Sequence, residues 1–348
     1  MPHLFSPLKL RSVEIPNRIA MSPMCTYSAG EDGIATDWHL VHLGSRAVGR
    51  CGLLLTEATA VTPGGRISTG DLGLWDDAQI EPLARIVSFC RAQGSRIAAQ
   101  LAHAGRKAWS PHKGAGPDIP VGPTDVPFDE GWVAPRPLTA QEIEAVIVAW
   151  REAARRALAA DFDAIEIHAA HGYLLHQFLT PLVNRRIDEY GGSLENRARL
   201  MLRVAAAVRE VWPADRPLLL RVSAFEWTEG GLTPADFVAL APRMREAGID
   251  MVDCSSGGAI PMGPPAGRIG PGYQVPFAEE IRVGSGLPTI AVGLITEPEQ
   301  ADAIVQNEQA DMIALGRELL REPYWPLAAA KRLEHPLEWP WQYLRAKG

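Results

Sequence analysis

Several signatures are missing from these 348 residues, and each absence removes a class of protein. There is no run of basic residues, and the formal net charge is −7, which argues against a nucleic-acid or anionic-membrane partner. No uninterrupted apolar segment approaches the ~18 residues of a membrane span. The first ten residues, Met1 to Leu10, lack the charged-then-apolar layout of a signal peptide. The four cysteines, Cys25, Cys51, Cys90 and Cys254, are scattered with no CxxC pair, so a zinc site, an iron–sulfur cluster or a disulfide scaffold is not expected. No G-x-G-x-x-G turn follows a strand-like run, which counts against a doubly wound nucleotide domain. No low-complexity tract is visible. With 47% hydrophobic and 22% charged residues, the expectation is a globular cytoplasmic enzyme.

What is present is alternation. Short β-like runs at Ile19–Met24, Leu53–Thr59, Arg96–Ala102, Ala164–His168, Leu218–Ser223, Met251–Ser255, Thr289–Val292 and Met312–Leu315 are separated by amphipathic stretches at helical spacing. Those stretches include Trp38–Gly49, Ile80–Gln93, Thr139–Ala160, Leu194–Val211, Thr233–Ala247, Glu297–Val305 and Pro323–Leu333. Ser193 and Thr233-Pro234 read as helix starts, and Gly94 and Gly248 as helix ends. Eight strand–helix units in a chain of this length predict a single α/β domain over residues 1–348, a (β/α)8 barrel. Residues before Ile19 read as a hairpin closing its bottom. Residues 104–137, rich in Gly, Pro and Trp, are too long for a simple connection and read as a lid or binding loop; a solvated insertion is the alternative.

Active sites of such barrels lie at the C-terminal strand ends. The fourth run, Ala164-Ile-Glu-Ile-His168-Ala-Ala-His171-Gly-Tyr173, delivers two imidazoles and a phenol just past a strand. In a continuing strand, residues three apart face opposite sides, so the chain must bend after His168 for His168, His171 and Tyr173 to converge. The other ends contribute Ser22-Pro23-Met24-Cys25-Thr26-Tyr27, Glu57-Ala58, Gln100, His103, Arg221, Ser223, Ser255-Ser256-Gly257-Gly258, Gly293 and Gly316-Arg317. Glycines after strands 7 and 8 with Arg317 make a phosphate cradle. Gln100 can donate to and accept from a pyrimidine edge, and Arg221 would stabilise an anionic ring; together they suggest a flat heteroaromatic cofactor. The alternative for Arg221 is a salt bridge to Glu166 or another barrel carboxylate.

Asn17-Arg-Ile-Ala-Met-Ser-Pro-Met24, Gln100-Leu-Ala-His-Ala-Gly-Arg106, His168-Ala-Ala-His-Gly-Tyr-Leu-Leu175, Tyr190-Gly-Gly-Ser-Leu-Glu-Asn-Arg197, Gly293-Leu-Ile and Ala314-Leu-Gly-Arg317 occur in this order across nearly the whole chain. In them the sequence resembles the old yellow enzyme family of FMN-dependent ene reductases. Cys25 and Tyr27 point to its thermophilic-like branch. The resemblance implies that Pro23, Cys25, Ala58, Gln100 and Arg221 contact the flavin, with Ser22, Met24 and His168 alongside. Gly293, Gly316 and Arg317 would hold the phosphate. His168 and His171 would bind the oxygen of an electron-withdrawing group, Tyr173 would protonate the substrate, and Tyr27 would line the pocket. Cys25 would tune the flavin potential; a small buried hydrophobe is its plain alternative.

The same resemblance implies ping-pong hydride transfer, from NADPH or NADH through FMN, to electron-poor alkenes such as enones and maleimides, with nitro compounds and nitrate esters as further candidates. It implies at least a homodimer, in which Arg345, within the C-terminal segment 334–348, reaches a neighbour's site with Trp341 near by. No metal is expected. The rival reading is a metal-dependent hydrolase or aldolase on the same barrel, with His168, His171 and His103 as ligands. The larger dienoyl-CoA reductase relatives carry a cysteine cluster and extra nucleotide domains, for which this sequence has no counterpart.

Overall fold

The computed structural model describes residues 3–109 and 119–347. Residues 110–118, in the middle of the expected lid, therefore lie outside the described residues. In chain order the strands are β1 (Leu8–Leu10), β2 (Val13–Ile15), β3 (Ile19–Met21), β4 (Leu53–Leu55), β5 (Thr59–Ala60), β6 (Arg96–Ala102), β7 (Val121–Gly122), β8 (Arg136–Pro137), β9 (Ala164–Ala169), β10 (Leu218–Ser223), β11 (Met251–Ser255), β12 (Thr289–Val292) and β13 (Met312–Leu315). The eight strands β3, β4, β6 and β9–β13 pair in parallel, each with the next, and β13 returns to β3. The sheet closes on itself, and helices connect its strands. This is the expected (β/α)8 barrel. Among the described residues no helix is long and apolar enough to cross a membrane.

Strand residues alternate between two cores because successive side chains point to opposite faces. Outward residues such as Leu54, Ile97, Ile165, Leu220 and Val252 pack against helix residues including Leu43, Ile86, Trp150, Val204 and Phe237. Inward residues Leu53, Leu55, Ala98, Ala164, Leu219, Met251, Ile290 and Met312 fill the lower barrel, where Leu10 and Ile15 of the antiparallel β1–β2 hairpin join them. The hairpin plugs the bottom. Higher up, the inward face turns polar: Gln100, Glu166, Arg221 and Asp253 form the next layer, and His168, Ser223 and Ser255 the mouth.

Most helix boundaries follow their local chemistry. Leu194–Val211 begins where Ser193 Oγ accepts the Asn196 amide at 3.3 Å. Gly94 and Gly248 sit past helix ends with φ of +91° and +88°. Two strands are shorter than expected. β3 stops at Met21 because Pro23 has no N–H for the ladder. β4 stops at Leu55 and pairing resumes only at Thr59, since Thr59 Oγ1 donates back to the Glu57 carbonyl at 2.8 Å and bends the chain between them. Three helices carry no clear amphipathic signal: Leu174–Leu179 is buried on every side, Arg317–Arg321 is too short, and Val275–Ser285 has Pro276 in its first turn and Gly284 in its last, leaving few apolar positions to show a period.

Candidate active site

The bend after β9 is made by two left-handed residues, His171 at φ +58° and Gly172 at +73°. It brings His168, His171 and Tyr173 together at the mouth. The His168 ring centroid lies 5.2 Å from that of His171 and 5.0 Å from that of Tyr173, both edge to face. A non-glycine residue at positive φ persists only where its surroundings hold it. Here the His171 N–H donates to Ser223 Oγ at 2.9 Å, and Ser223 passes its own hydrogen to the Gly257 carbonyl at 2.7 Å. The His171 carbonyl accepts from Lys107 Nζ at 2.8 Å. The Gly172 N–H donates to His176 Nδ1 at 2.8 Å, which leaves the hydrogen of that ring on Nε2, 3.1 Å from Glu226 Oε1. A Cβ on Gly172 would lie 2.0 Å from the Gly258 carbonyl oxygen, so the turn is packed too closely for any side chain there.

Protonation at the mouth follows from burial. Desolvation first, and the Arg221 charge second, hold His168 and His171 well below the usual imidazole range, so both rings are neutral. The His168 Nδ1 accepts the Ala170 amide at 3.3 Å, leaving its Nε2 hydrogen to donate. The Ser255 hydroxyl, 2.7 Å from His171 Nε2, can donate to that nitrogen and keep the other one protonated. Burial pushes the Tyr173 phenol well above its ordinary value and keeps it protonated.

The opposite side of the mouth is the loop after β3. Cys25 and Tyr173 both pack against the alanine-rich patch of Ala58, Ala102, Ala104 and Ala108. Glu57 clamps this loop, accepting the Thr26 amide at 2.6 Å and facing His39 Nε2 at 2.9 Å. Tyr27 is 47% exposed at the rim, with φ +54°. The expected lid is tied to the same region. Arg106 reaches the Val126, Pro127 and Ala259 carbonyls, and Lys107 Nζ lies 4.3 Å from the Phe128 ring and 5.2 Å from that of Tyr173.

Below the mouth, Arg221 donates to Ser22 Oγ at 2.9 Å, and its Nε stands 3.2 Å from Asp253 Oδ2. Arg221 therefore has a barrel carboxylate beside it and reaches, with another nitrogen, Ser22 at the start of the loop that lines the mouth. Gln100 Nε2 donates to Glu166 Oε1 at 2.8 Å, which leaves its amide oxygen as an acceptor. Gly293, at φ +134°, and Gly316 border a cleft of about 210 Å³ with Arg317 and Arg321. Arg317 has no ion-pair partner among the described residues. The amide acceptor and the buried guanidinium fit the ring of a flavin mononucleotide, and the glycine-walled cleft with the unpaired Arg317 fits its phosphate.

A family profile described as the NADH:flavin oxidoreductase / NADH oxidase family matches residues 3–336. The chain belongs to that family. It is an FMN enzyme of the old yellow enzyme group, as the sequence resemblance implied. An NADPH dehydrogenase of Geobacillus thermodenitrificans is 50% identical over 98% of both chains. Morphinone reductase in complex with tetrahydroNAD superimposes with a TM-score of 0.81 at 32% identity, over 98% of this chain and 93% of that one. A 2-naphthoyl-CoA reductase gives a TM-score of 0.87 at 25% identity over 96% of this chain, which spans about half (52%) of that longer protein.

Arg345 and Trp341, in the C-terminal 3-10 segment Trp341–Ala346, are exposed and make none of the contacts that assemble the mouth. Sequence reasoning passed over Glu226, His176, Ser223 and Ser255 as supports of the bend, Lys107 beside Tyr173, and Asp253 beneath Arg221. Only the inward register of Asp253 and Ser255 on their strand carried a signal. For the metal reading, no three His, Cys, Asp or Glu side chains gather into a metal-holding group among the described residues.

Proposed function

We propose that this flavin oxidoreductase reduces the C=C bond of electron-poor alkenes, such as enones and maleimides, with NADPH as reductant. Nitro compounds and nitrate esters present a similar electron-poor group. The observation that carries this reading is the meeting of two neutral imidazoles and one protonated phenol over a mouth that fits a flavin. FMN, when bound, would supply the hydride chemistry that links oxidation of a nicotinamide to reduction of the substrate at this mouth.

His168 and His171 each offer one N–H to the oxygen of the electron-withdrawing group. Because both rings are neutral, they stabilise developing negative charge without giving up a proton. One such donor typically contributes ~10²–10³ in rate. Hydride adds to the β-carbon, and the Tyr173 O–H gives its proton to the α-carbon, which completes the saturated product. Lys107, 5.2 Å from the Tyr173 ring, offsets charge left on the phenolate. Cys25, packed on the same alanine patch as Tyr173, would tune the flavin. Gly293, Gly316 and Arg317 would hold the phosphate, and Ser22, Pro23, Met24, Ala58, Gln100 and Arg221 the ring. Tyr27 would line the pocket entrance. We also propose that the exposed C-terminal segment carries Arg345 to a neighbouring copy's mouth.

Stopped-flow absorbance separates the half-reactions. Tyr173→Phe should slow reoxidation of the flavin by cyclohexenone by ~10²-fold or more while leaving its reduction by NADPH within a fewfold of the parent. Equal losses in both halves would remove Tyr173 as the substrate acid.

A further inference from the structure

The polar layer beneath the mouth holds one more carboxylate than its cations can balance. Gln100, Glu166, Arg221 and Asp253 come from four consecutive barrel strands, and the register sets Gln100 beside Glu166 and Arg221 beside Asp253. Glu166 and Asp253 are both wholly buried. Arg221 is the one cation that contacts them among the described residues, and it stands beside Asp253. Glu166 accepts from the neutral Gln100 amide through Oε1, while its Oε2 and both Asp253 oxygens have no N–H or hydroxyl hydrogen-bonded to them. Glu166 and Asp253 stand within hydrogen-bond reach of each other. Two ionised carboxylates in that position would leave one buried charge unbalanced and two acceptors opposed without a hydrogen between them.

We propose that Glu166 and Asp253 hold a single proton between them, with Glu166 the acid and Asp253 the anion. The three charged side chains are then neutral as a set: Asp253 balances Arg221, and Glu166 donates its O–H to Asp253 while accepting from Gln100. Burial, followed by the nearby Asp253 charge, drives the Glu166 carboxyl well above its ordinary range. Burial also raises Asp253, but Arg221 and the hydrogen bond from Glu166 oppose that rise. Glu166 and Asp253 are positioning residues. The first fixes which way the Gln100 amide faces, and the second sets how much positive charge Arg221 presents to the mouth. These consequences rest on the reading that Gln100 and Arg221 face the flavin ring; the shared proton does not.

The test uses the FMN-loaded enzyme and two isosteric variants, each checked for folding by circular dichroism. Glu166→Gln exchanges a neutral acid for a neutral amide. It should leave the ratio of reduced to oxidised FMN affinity within a fewfold of the parent. Asp253→Asn removes the anion and frees the Arg221 charge. It should favour reduced, anionic flavin at least tenfold, which for a two-electron couple is about a 30 mV rise in midpoint potential. A tenfold shift with Glu166→Gln would overturn the assignment. Infrared spectroscopy gives a second readout that holds even if Asp253→Asn fails to fold. The parent should show the C=O stretch of a protonated carboxylic acid, sensitive to D2O exchange and lost in Glu166→Gln. Its absence from the parent, or its survival in that variant, would refute the shared proton. If the infrared band behaves as expected and neither variant moves the potential, then the placement of the flavin against Gln100 and Arg221 fails instead.

Discussion

At the scale of single residues, desolvation sets the charge states of the groups at the mouth. His168, His171 and Tyr173 all stay neutral because burial penalises their charged forms. His103, at the end of β6, is handled the same way, its imidazole pushed down to about 4 by desolvation. Its Nδ1 accepts the Gly105 amide at 3.0 Å, so the ring supports the turn that leads to Arg106 and Lys107. The depressed value has a consequence for stability. An unfolded chain takes up the proton near pH 6.5, before the folded one does, so the contribution of His103 is complete above that pH and declines as pH falls toward 4. The span bounds it at about 3 kcal/mol. His103→Gln should therefore lose less stability than the parent between pH 7 and 4.5 in urea denaturation, the other titrating groups being common to both. Parallel losses would mean that His103 is solvated or protonated in the folded state. His168, His171 and Tyr173 were legible as residue types delivered past a strand. Ser223 and Ser255 were legible as strand ends but not as the partners of His171, and Lys107, from the loop after β6, has no local signature.

At the scale of elements, the turn after β9 is the part on which the rest depends. A straight continuation would have sent His171 to the wrong face; the left-handed pair His171–Gly172 turns it back. Gly172 is required twice over, by its φ of +73° and by the Gly258 carbonyl, which would sit 2.0 Å from a Cβ. Gly172→Ala should cost at least ~1–3 kcal/mol in chemical denaturation and slow alkene reduction more than reduction of the flavin by NADPH. A fully stable, fully active variant would show that the turn relaxes freely. Two buried carboxylate–imidazole pairs brace the loops on either side of the mouth: Glu226–His176 behind Gly172, and Glu57–His39 behind Thr26. The need for a bend after His168 could be read from the period of a strand. The bracing pairs could not, because Glu226 lies 50 positions from His176 and nothing local links them.

For the whole molecule, closure of the barrel turns eight separate strand ends into one mouth. The hairpin seals the bottom, apolar side chains fill the lower interior, and the polar layer lies just beneath the opening. The C-terminal segment is the exposed exception: Trp341 is 78% exposed, and Tyr343 and Leu344 are also uncovered. Large apolar side chains grouped in this way suit a contact between copies. Arg345→Ala should raise KM for an alkene severalfold without changing the FMN content, and sedimentation of the parent should report a dimer or larger species. A monomeric parent, or an unchanged KM, would confine Arg345 to the surface.

The sequence by itself determined the barrel, because strand and helix periods alternate eight times and side-chain alternation is a local property of the backbone. It also determined the inventory of the mouth, since residues at the C-terminal ends of parallel strands must share one face. Tertiary structure alone decided the partnerships. Which carboxylate lies beside Arg221, which hydroxyls hold His171, and where the buried proton must sit all depend on strand register around a closed sheet, and register is set by contacts between residues far apart in the chain.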